Sequence, residues 1–388
     1  MSDQRFDVAI IGGGLAGCSA AIHLAQRGHS VALFEAQKYP HHKVCGEFLS
    51  PECGALLADL GLSAGLQALK PALIHTANII APNGTTWTNA LPGAGIGISR
   101  YALDNLMAEQ ARACGVNLMT STSVTDVQGD LDHGFSLAIR NAIGQQTINA
   151  RTVIGAQGKR SSIDRKLNRG FFQNPQPFMG LKAHFRGSLP AGQIYLYTFA
   201  GGYCGMSEIE NGLINVCLLV RQDVFQLASQ PYPANVDSFI VWMKQQNPAL
   251  GKWLSGAEQV SESWLSISQV PFVSKQVVVN DILMAGDSAG LIAPVAGDGM
   301  GMALQTGRMA SDVLDRYLTD QISAAEMCKQ YRRLWWRTFG LRLRLSRVLQ
   351  VFMLRPNWLT PGLRMMNSVP ALGRLLVTHT RDNQLVRP

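Results

Sequence analysis

Asp7-Val-Ala-Ile-Ile-Gly12-Gly13-Gly14-Leu-Ala-Gly17 decides the fold of this 388-residue chain. Val8 to Ile11 is a short apolar run rich in β-branched residues, the pattern of a strand covered on both faces. Gly12 permits a tight turn, Gly14 lets backbone amides approach a pyrophosphate, and Gly17 allows a helix to pack closely on the strand. Cys18 to Arg27 has helical composition and stops at Gly28. The amides at that helix start, from Leu15, Ala16 and Gly17, join the positive end of its dipole in favouring phosphate. Ser30 to Glu35 forms a second strand ending in a carboxylate. Glu35 lies 18 residues after Gly17, near the spacing for an acid that binds adenosine ribose hydroxyls. A ligand-free turn needs no such order of strand, glycines, helix and acid. The segment reads as a dinucleotide cradle.

A second segment, about 270 residues further on, decides which dinucleotide. Strand Ile282 to Ala285 leads into Gly286-Asp287-Ser288-Ala-Gly290, then Pro294, then Gly297-Asp298-Gly299-Met300-Gly301, and a helix is expected over Met302 to Leu318. This resembles the Gly-Asp motif of glutathione-reductase-type flavoproteins, in which the acid binds the ribityl chain and the next helix starts beneath the pyrimidine edge of the flavin. Reduced flavin carries negative charge near that edge, which a helix N-terminus stabilises. Gly299 and Gly301 permit close backbone approach. The implied cofactor is FAD.

Hydrophobic residues make up 47% of the chain, enough for a sizeable core, and the length suggests two or three structural units. The seven cysteines are scattered without Cys-x-x-Cys spacing, so neither a zinc site nor a disulfide framework is implied. Their odd number and the lack of a signal-peptide pattern point to a reducing cytoplasm. No run reaches the roughly 18 uninterrupted apolar residues of a membrane span.

Charge is concentrated at one end. Tyr331 to Pro388 holds eleven arginines, no lysine and one acid, Asp382, so it carries +10 while the remaining 330 residues carry −2, to total +8. Tyr331 to Leu354 reads as a helix about 36 Å long. Arg333, Arg337, Arg344 and Arg347 fall on one face, and Leu334, Leu341, Leu345, Val348 and Phe352 on another. Trp335, Trp336 and Trp358 add rings favoured at membrane interfaces. One reading attaches residues 331–388 to an anionic membrane surface; the other docks the helix on the enzyme body with its arginines in water. Nucleic acid is excluded as a partner because no recognition module accompanies the charge.

Between the cradles, Ser99 to Ala113 reads as a helix that includes Arg100, Ser123 to Gln128 as a strand, and Phe135–Arg140 with Gln145–Asn149 as a hairpin. Thr152 to Ala156 is another buried strand. Strand-like runs over 180–186, 193–199, 205–209 and 213–220 suggest an antiparallel sheet able to cover the flavin, with residues 70–95 adding to it. The expected class is α/β: a Rossmann-like three-layer FAD domain (1–69, 96–165 and 276–320), an inserted antiparallel substrate domain (70–95 and 166–275) and a basic amphipathic helical tail (321–388). Tyr195, Tyr197, Phe199 and Tyr203 alternate by two and place aromatic rings on one sheet face, as packing or as a pocket wall.

Gly12-x-Gly14-x-x-Gly17, Lys43-Val-Cys45-Gly46-Glu47, Arg100, the Gly155 to Arg165 stretch, and Gly286-Asp287 with Pro294 occur in the order found in geranylgeranyl-reductase-like flavoproteins. Over roughly residues 5 to 320 the chain resembles that group, within the superfamily of group A flavoprotein monooxygenases and flavin-dependent halogenases. The resemblance implies that Cys45 lies close to the isoalloxazine, that Lys43 and Arg100 help bind FAD, and that the substrate pocket lies between flavin and sheet. Gln157-Gly158 stands where the superfamily often has Asp-Gly, which weakens direct reduction by NADPH, although Lys159 and Arg160 remain able to attract phosphates. The Trp-x-Trp-x-Ile-Pro signature of tryptophan halogenases is missing, which argues against halogenation.

Cys45 and Glu47 are the candidate catalytic residues. Cys45 follows His41-His42-Lys43, cations that favour thiolate, and would guide substrate or donate a proton; alone it would read as a small buried residue. Glu47 would position substrate or flavin, or cap the segment at Ser50-Pro51. The expected enzyme is an FAD-dependent oxidoreductase acting on a lipophilic prenyl or polyketide-like molecule. Reduction of a carbon–carbon double bond is the leading chemistry; hydroxylation through a flavin C4a-hydroperoxide is the alternative. The electron donor, NAD(P)H or ferredoxin-like, is left open. A non-catalytic FAD-binding membrane protein is the remaining reading.

Overall fold

The structure is a computed structural model that describes residues 5–230, 235–371 and 373. Its first sheet has the strand order Val278–Val279, Ile282–Met284, Gly144–Gly155, Arg5–Ile11, Val31–Phe34, Asn117–Met119. Arg5–Ile11 runs parallel to both neighbours, with Ile11 level with Phe34 on one side and Gly155 on the other. The chain leaves that strand toward one neighbour and returns much later to the other, so its carboxyl end opens the crevice where such sheets bind ligands.

Helix Leu15–Gln26 follows the first strand and packs against helix Gly299–Leu318. Gly307 allows this, because a methyl there would strike the Ala16 carbonyl. The expected hairpin forms between Gly134–Asn141 and Gly144–Gly155. Thr152 to Ala156 is no separate strand; most of it continues the second arm of that hairpin into the parallel sheet.

The second sheet runs Glu258–Gln259, Phe178–Arg186, Ile214–Arg221, Gly202–Glu208, Gln193–Phe199, Ala72–Ile80, Thr86–Gly97, Phe48–Leu49. It is antiparallel except where Gln193–Phe199 pairs in parallel with Ala72–Ile80, which corrects the wholly antiparallel expectation. Phe48–Leu49 joins this sheet, and one strand extends to Gly97, so both sequence boundaries near residues 69 and 96 blur.

Strand alternation gives this sheet two different faces. Leu181, Ala183, Phe199, Met206, Val216 and Leu218 pack under helices Gln222–Ala228, Val236–Gln246 and Pro248–Gly256. Those three helices lie inside the region expected to be the antiparallel substrate domain, beyond its last expected strand at 213–220. Gly180, Lys182, Leu196, Tyr203, Gly205 and Cys217 point the other way, toward the first sheet. The aromatic stripe therefore divides: Tyr195, Tyr197 and Phe199 pack under the helices, while Tyr203 faces inward.

The C-terminal segment is no free tail. Helix Ala324–Met353 starts earlier than expected and buries Tyr331, Trp335, Phe339 and Leu343 on the body. Trp335 is 1% exposed, so of the three tryptophans in this segment it is one that faces the body. Helix Pro356–Ser368 follows and packs beside Thr86–Gly97, while the expected tail beyond residue 373 lies outside the described residues. No helix among the described residues is long and apolar enough to cross a membrane.

Candidate active site

A cavity of about 730 Å³ runs between the sheets. One end is the predicted cradle: Gly12, Gly14, Leu15, Ala16 and Glu35 line it, with Gly286, Asp287, Pro294, Gly297, Gly299 and Met300 opposite. Gly12 takes φ +101° against the Ala156 backbone, which only glycine does without strain. At Gly14 an added methyl would come no nearer than 3.7 Å to a side chain, Arg100, so this backbone stands open to the cavity. No side chain caps the helix that follows, which leaves its first amides to an anion. These features fit the pyrophosphate of FAD, with Asp287 and the start of helix Gly299–Leu318 further along.

Gly17 and Gly301 act from behind the cavity. A methyl at Gly17 would run into the Gly12 carbonyl, and one at Gly301 would lie 2.6 Å from Asp298 Oδ1. Glu35 accepts from the Gly13 amide at 3.0 Å through one oxygen and from the Gln37 amide at 3.0 Å through the other. It steadies the glycine turn as well as lining the adenosine end.

Lys43 and Arg100 meet at a third acid that the sequence did not single out. Arg100 donates to buried Asp104 at 2.6 and 2.8 Å, and Lys43 Nζ lies 3.0 Å from the same carboxylate. Burial opposes both charges, but Asp104 holds the guanidinium protonated and the two cations hold Asp104 below the usual carboxylate range. Lys43 Nζ also lies 4.0 Å from Glu35, so the two cations beside Gly14 are shared between two acids.

The segment bearing Cys45 is strapped across the cavity from several sides. Lys159 Nζ donates to the Val44 carbonyl at 3.2 Å, Asn215 to the Cys45 carbonyl at 3.2 Å, and Lys182 Nζ to the Lys43 carbonyl at 3.3 Å. The cation within hydrogen-bonding reach of the Cys45 thiol is Arg100, where the sequence suggested the preceding histidines and lysine. His42 instead stacks on Tyr101 and meets the edge of His184.

Glu47 anchors the end of that strap. Fully buried, with φ 53°, it bonds Lys182 through Oε1 and His184 through Oε2 at 2.7 Å, and accepts the Arg100 amide at 2.7 Å. Burial alone would raise its pKa; the His184 hydrogen bond and the Lys182 charge outweigh that and lower it. A positive φ is unfavourable for glutamate, so the three bonds over-determine the backbone there. With both oxygens engaged, Glu47 positions the strap; it does not cap Ser50.

Lys182, His184 and Asn215 were missed because strand alternation marks a face without saying what it faces. Asp164 was missed too. It binds Gln157 at 3.1 Å and Arg169 at 2.9 Å, and Arg169 reaches the Ser288 carbonyl at 2.8 Å, tying the Gly155 to Arg165 stretch to the second cradle. Buried Lys275 adds bonds to the Lys159 and Asp287 carbonyls, and burial pulls its pKa down to about 8. From the C-terminal helix, Arg342 lies 3.2 Å from buried Asp298, and Trp335 packs against Gly290. Beyond Cys45 the cavity is walled by Leu196, Leu219, Ile267, Phe272 and Ile292.

Comparison with known proteins agrees with this geometry. An FAD binding domain family matches residues 5–188. The chain is 26% identical to menaquinone reductase of Mycolicibacterium smegmatis, covering 90% of this chain and 87% of that one. It is 22% identical to digeranylgeranylglycerophospholipid reductase 1 of Methanococcoides burtonii, covering 88% and 81%. Among solved structures the flavin-dependent halogenase CmlS shares the fold, with TM-score 0.77 and 24% identity over 88% of this chain. This chain spans only 64% of CmlS.

Proposed function

We propose a reaction for this chain from the premise that it belongs to the group A flavoprotein superfamily and is an FAD-dependent enzyme: reduction of a carbon–carbon double bond in a lipophilic, prenyl-type substrate. The observation that carries this reading is the placement of Cys45, a thiol on an immobilised strap, where the cofactor cradle meets an apolar chamber. The resemblance of the chain to reductases supports it.

Held between the Gly12 to Gly14 turn and Gly286-Asp287, a reduced flavin would supply hydride chemistry for one carbon of the double bond. The side chains do the rest. Leu196, Leu219, Ile267 and Phe272 exclude water and align an apolar chain. The Cys45 thiol, with the Arg100 guanidinium within hydrogen-bonding reach, delivers the proton to the second carbon and regains one from solvent. Glu47, Lys182 and His184 fix the strap, so that Sγ stays in place without an entropic search.

The test is anaerobic incubation of the chemically reduced enzyme with lipid extract, read by mass. A gain of two hydrogens is expected, and Cys45→Ser should slow it by about a hundredfold while leaving flavin binding intact. A product carrying one added oxygen, formed only in air, would make the enzyme a hydroxylase.

A further inference from the structure

We propose that the outer face of helices Ala324–Met353 and Pro356–Ser368 is seated on an anionic lipid bilayer. The observation is which face of the first helix stays uncovered. The body contact is made through Tyr331, Trp335 and Phe339, and the leucine stripe points away from it. Leu334, Leu341 and Val348 follow one another at intervals of seven and stay exposed, Leu341 at 59% and Val348 at 55%. Trp358 on the next helix is 51% exposed.

Arginines stand beside this stripe. Arg333, Arg337 and Arg344 are exposed and form no ion pair among the described residues, and the sequence offers no carboxylate between Tyr331 and Ala371. An exposed apolar row flanked by unneutralised arginines is the pattern of a helix lying in a membrane interface, where leucines enter the acyl boundary and cations meet phosphate. A second copy of the chain is a poor occupant, since a two-fold contact would set arginines against arginines. Nucleic acid would leave the leucine row uncovered.

The inner side of the same two helices touches the substrate chamber. Met353, Leu359 and Leu363 pack with Tyr203 and Leu219, which line the cavity. Membrane seating would therefore put this wall of the chamber against the bilayer, the phase in which a lipophilic substrate dissolves. The seating does not depend on the reduction chemistry, because vesicle binding is measured without turnover.

The experiment is co-sedimentation of the FAD-loaded full chain with phosphatidylcholine vesicles, with and without phosphatidylglycerol. Wild type should pellet only with the anionic vesicles, with a blue shift of tryptophan fluorescence. Arg333→Glu/Arg337→Glu/Arg344→Glu should lower the partition coefficient about a hundredfold or more. Leu334→Ser/Leu341→Ser/Val348→Ser should weaken it with the charge intact. Retained flavin absorbance shows that each variant is folded. The proposal is overturned if wild type stays in the supernatant, if neutral vesicles bind equally, or if both variants bind as wild type does. A dimer in solution that the charge reversal dissociates would give this face to a second copy instead.

Discussion

Glu47 and His184 are 137 residues apart in sequence, yet Oε2 of one accepts Nε2–H of the other at 2.7 Å inside the interface between the two sheets. With Lys182 on the second oxygen, this carboxylate joins the strap that carries Cys45 to the sheet that walls the chamber. Glu47→Gln would leave Lys182, 1% exposed on its side chain, without its counter-charge. A loss of about 3–5 kcal/mol in denaturant unfolding is expected. The double variant Glu47→Gln/Lys182→Met should recover most of it. A small effect in the single variant would show the pair to be solvated.

The same carboxylate sets a pH dependence. Glu47 and Asp104 both have pKa values lowered by folding, through Lys182 with His184 and through Arg100 with Lys43. Such groups stabilise the fold above their unfolded pKa, and that contribution is lost as pH falls through the folded one. Melting temperature should hold down to the ordinary carboxylate range and then fall steeply. In Glu47→Gln/Lys182→Met the acid limb should be shallower; an identical limb would remove Glu47 from its cause.

Gly14 and Gly17 separate cofactor binding from folding. Gly14→Ala adds a methyl to open cavity, so the protein should fold normally and bind FAD about tenfold or more weakly. Gly17→Ala drives a methyl into the Gly12 carbonyl and should lower stability as well as flavin content. Equal melting temperatures for the two apoproteins would contradict this assignment.

Arg342 couples the C-terminal helix to the turn leading into helix Gly299–Leu318 through Asp298. Arg342→Met should raise the rate of FAD loss on dilution, followed by fluorescence of the released flavin. It should do so even though the residue does not line the cavity. Unchanged retention would make the helix a passive cover.

Much of this molecule is local, and local features are legible in a sequence. The strand, glycine turn and helix at Val8 to Gln26 follow from steric rules acting over a few residues, so spacing located them, and the turn at Gly286-Asp287 was read through its resemblance to flavoproteins. The helices at 222–256 were hidden because they lie among strands and share their apolar composition. Lys182 and His184 alternate correctly for one sheet face, yet nothing nearby says that this face meets Glu47.

What the sequence alone determined is the strand, glycine turn and helix of the first cradle, because turns that hold phosphate obey backbone sterics at fixed offsets. What only the tertiary structure decided is which faces are inside. Leu334 and Leu341 lie outside, Trp335, one of three rings favoured at interfaces, is buried, and Glu47, a candidate catalytic residue or cap, closes an ion pair between the two sheets. Periodicity reports that a helix or strand has distinct sides. Which side is buried depends on the partner that chain topology brings against it, and that partner lies far away in sequence.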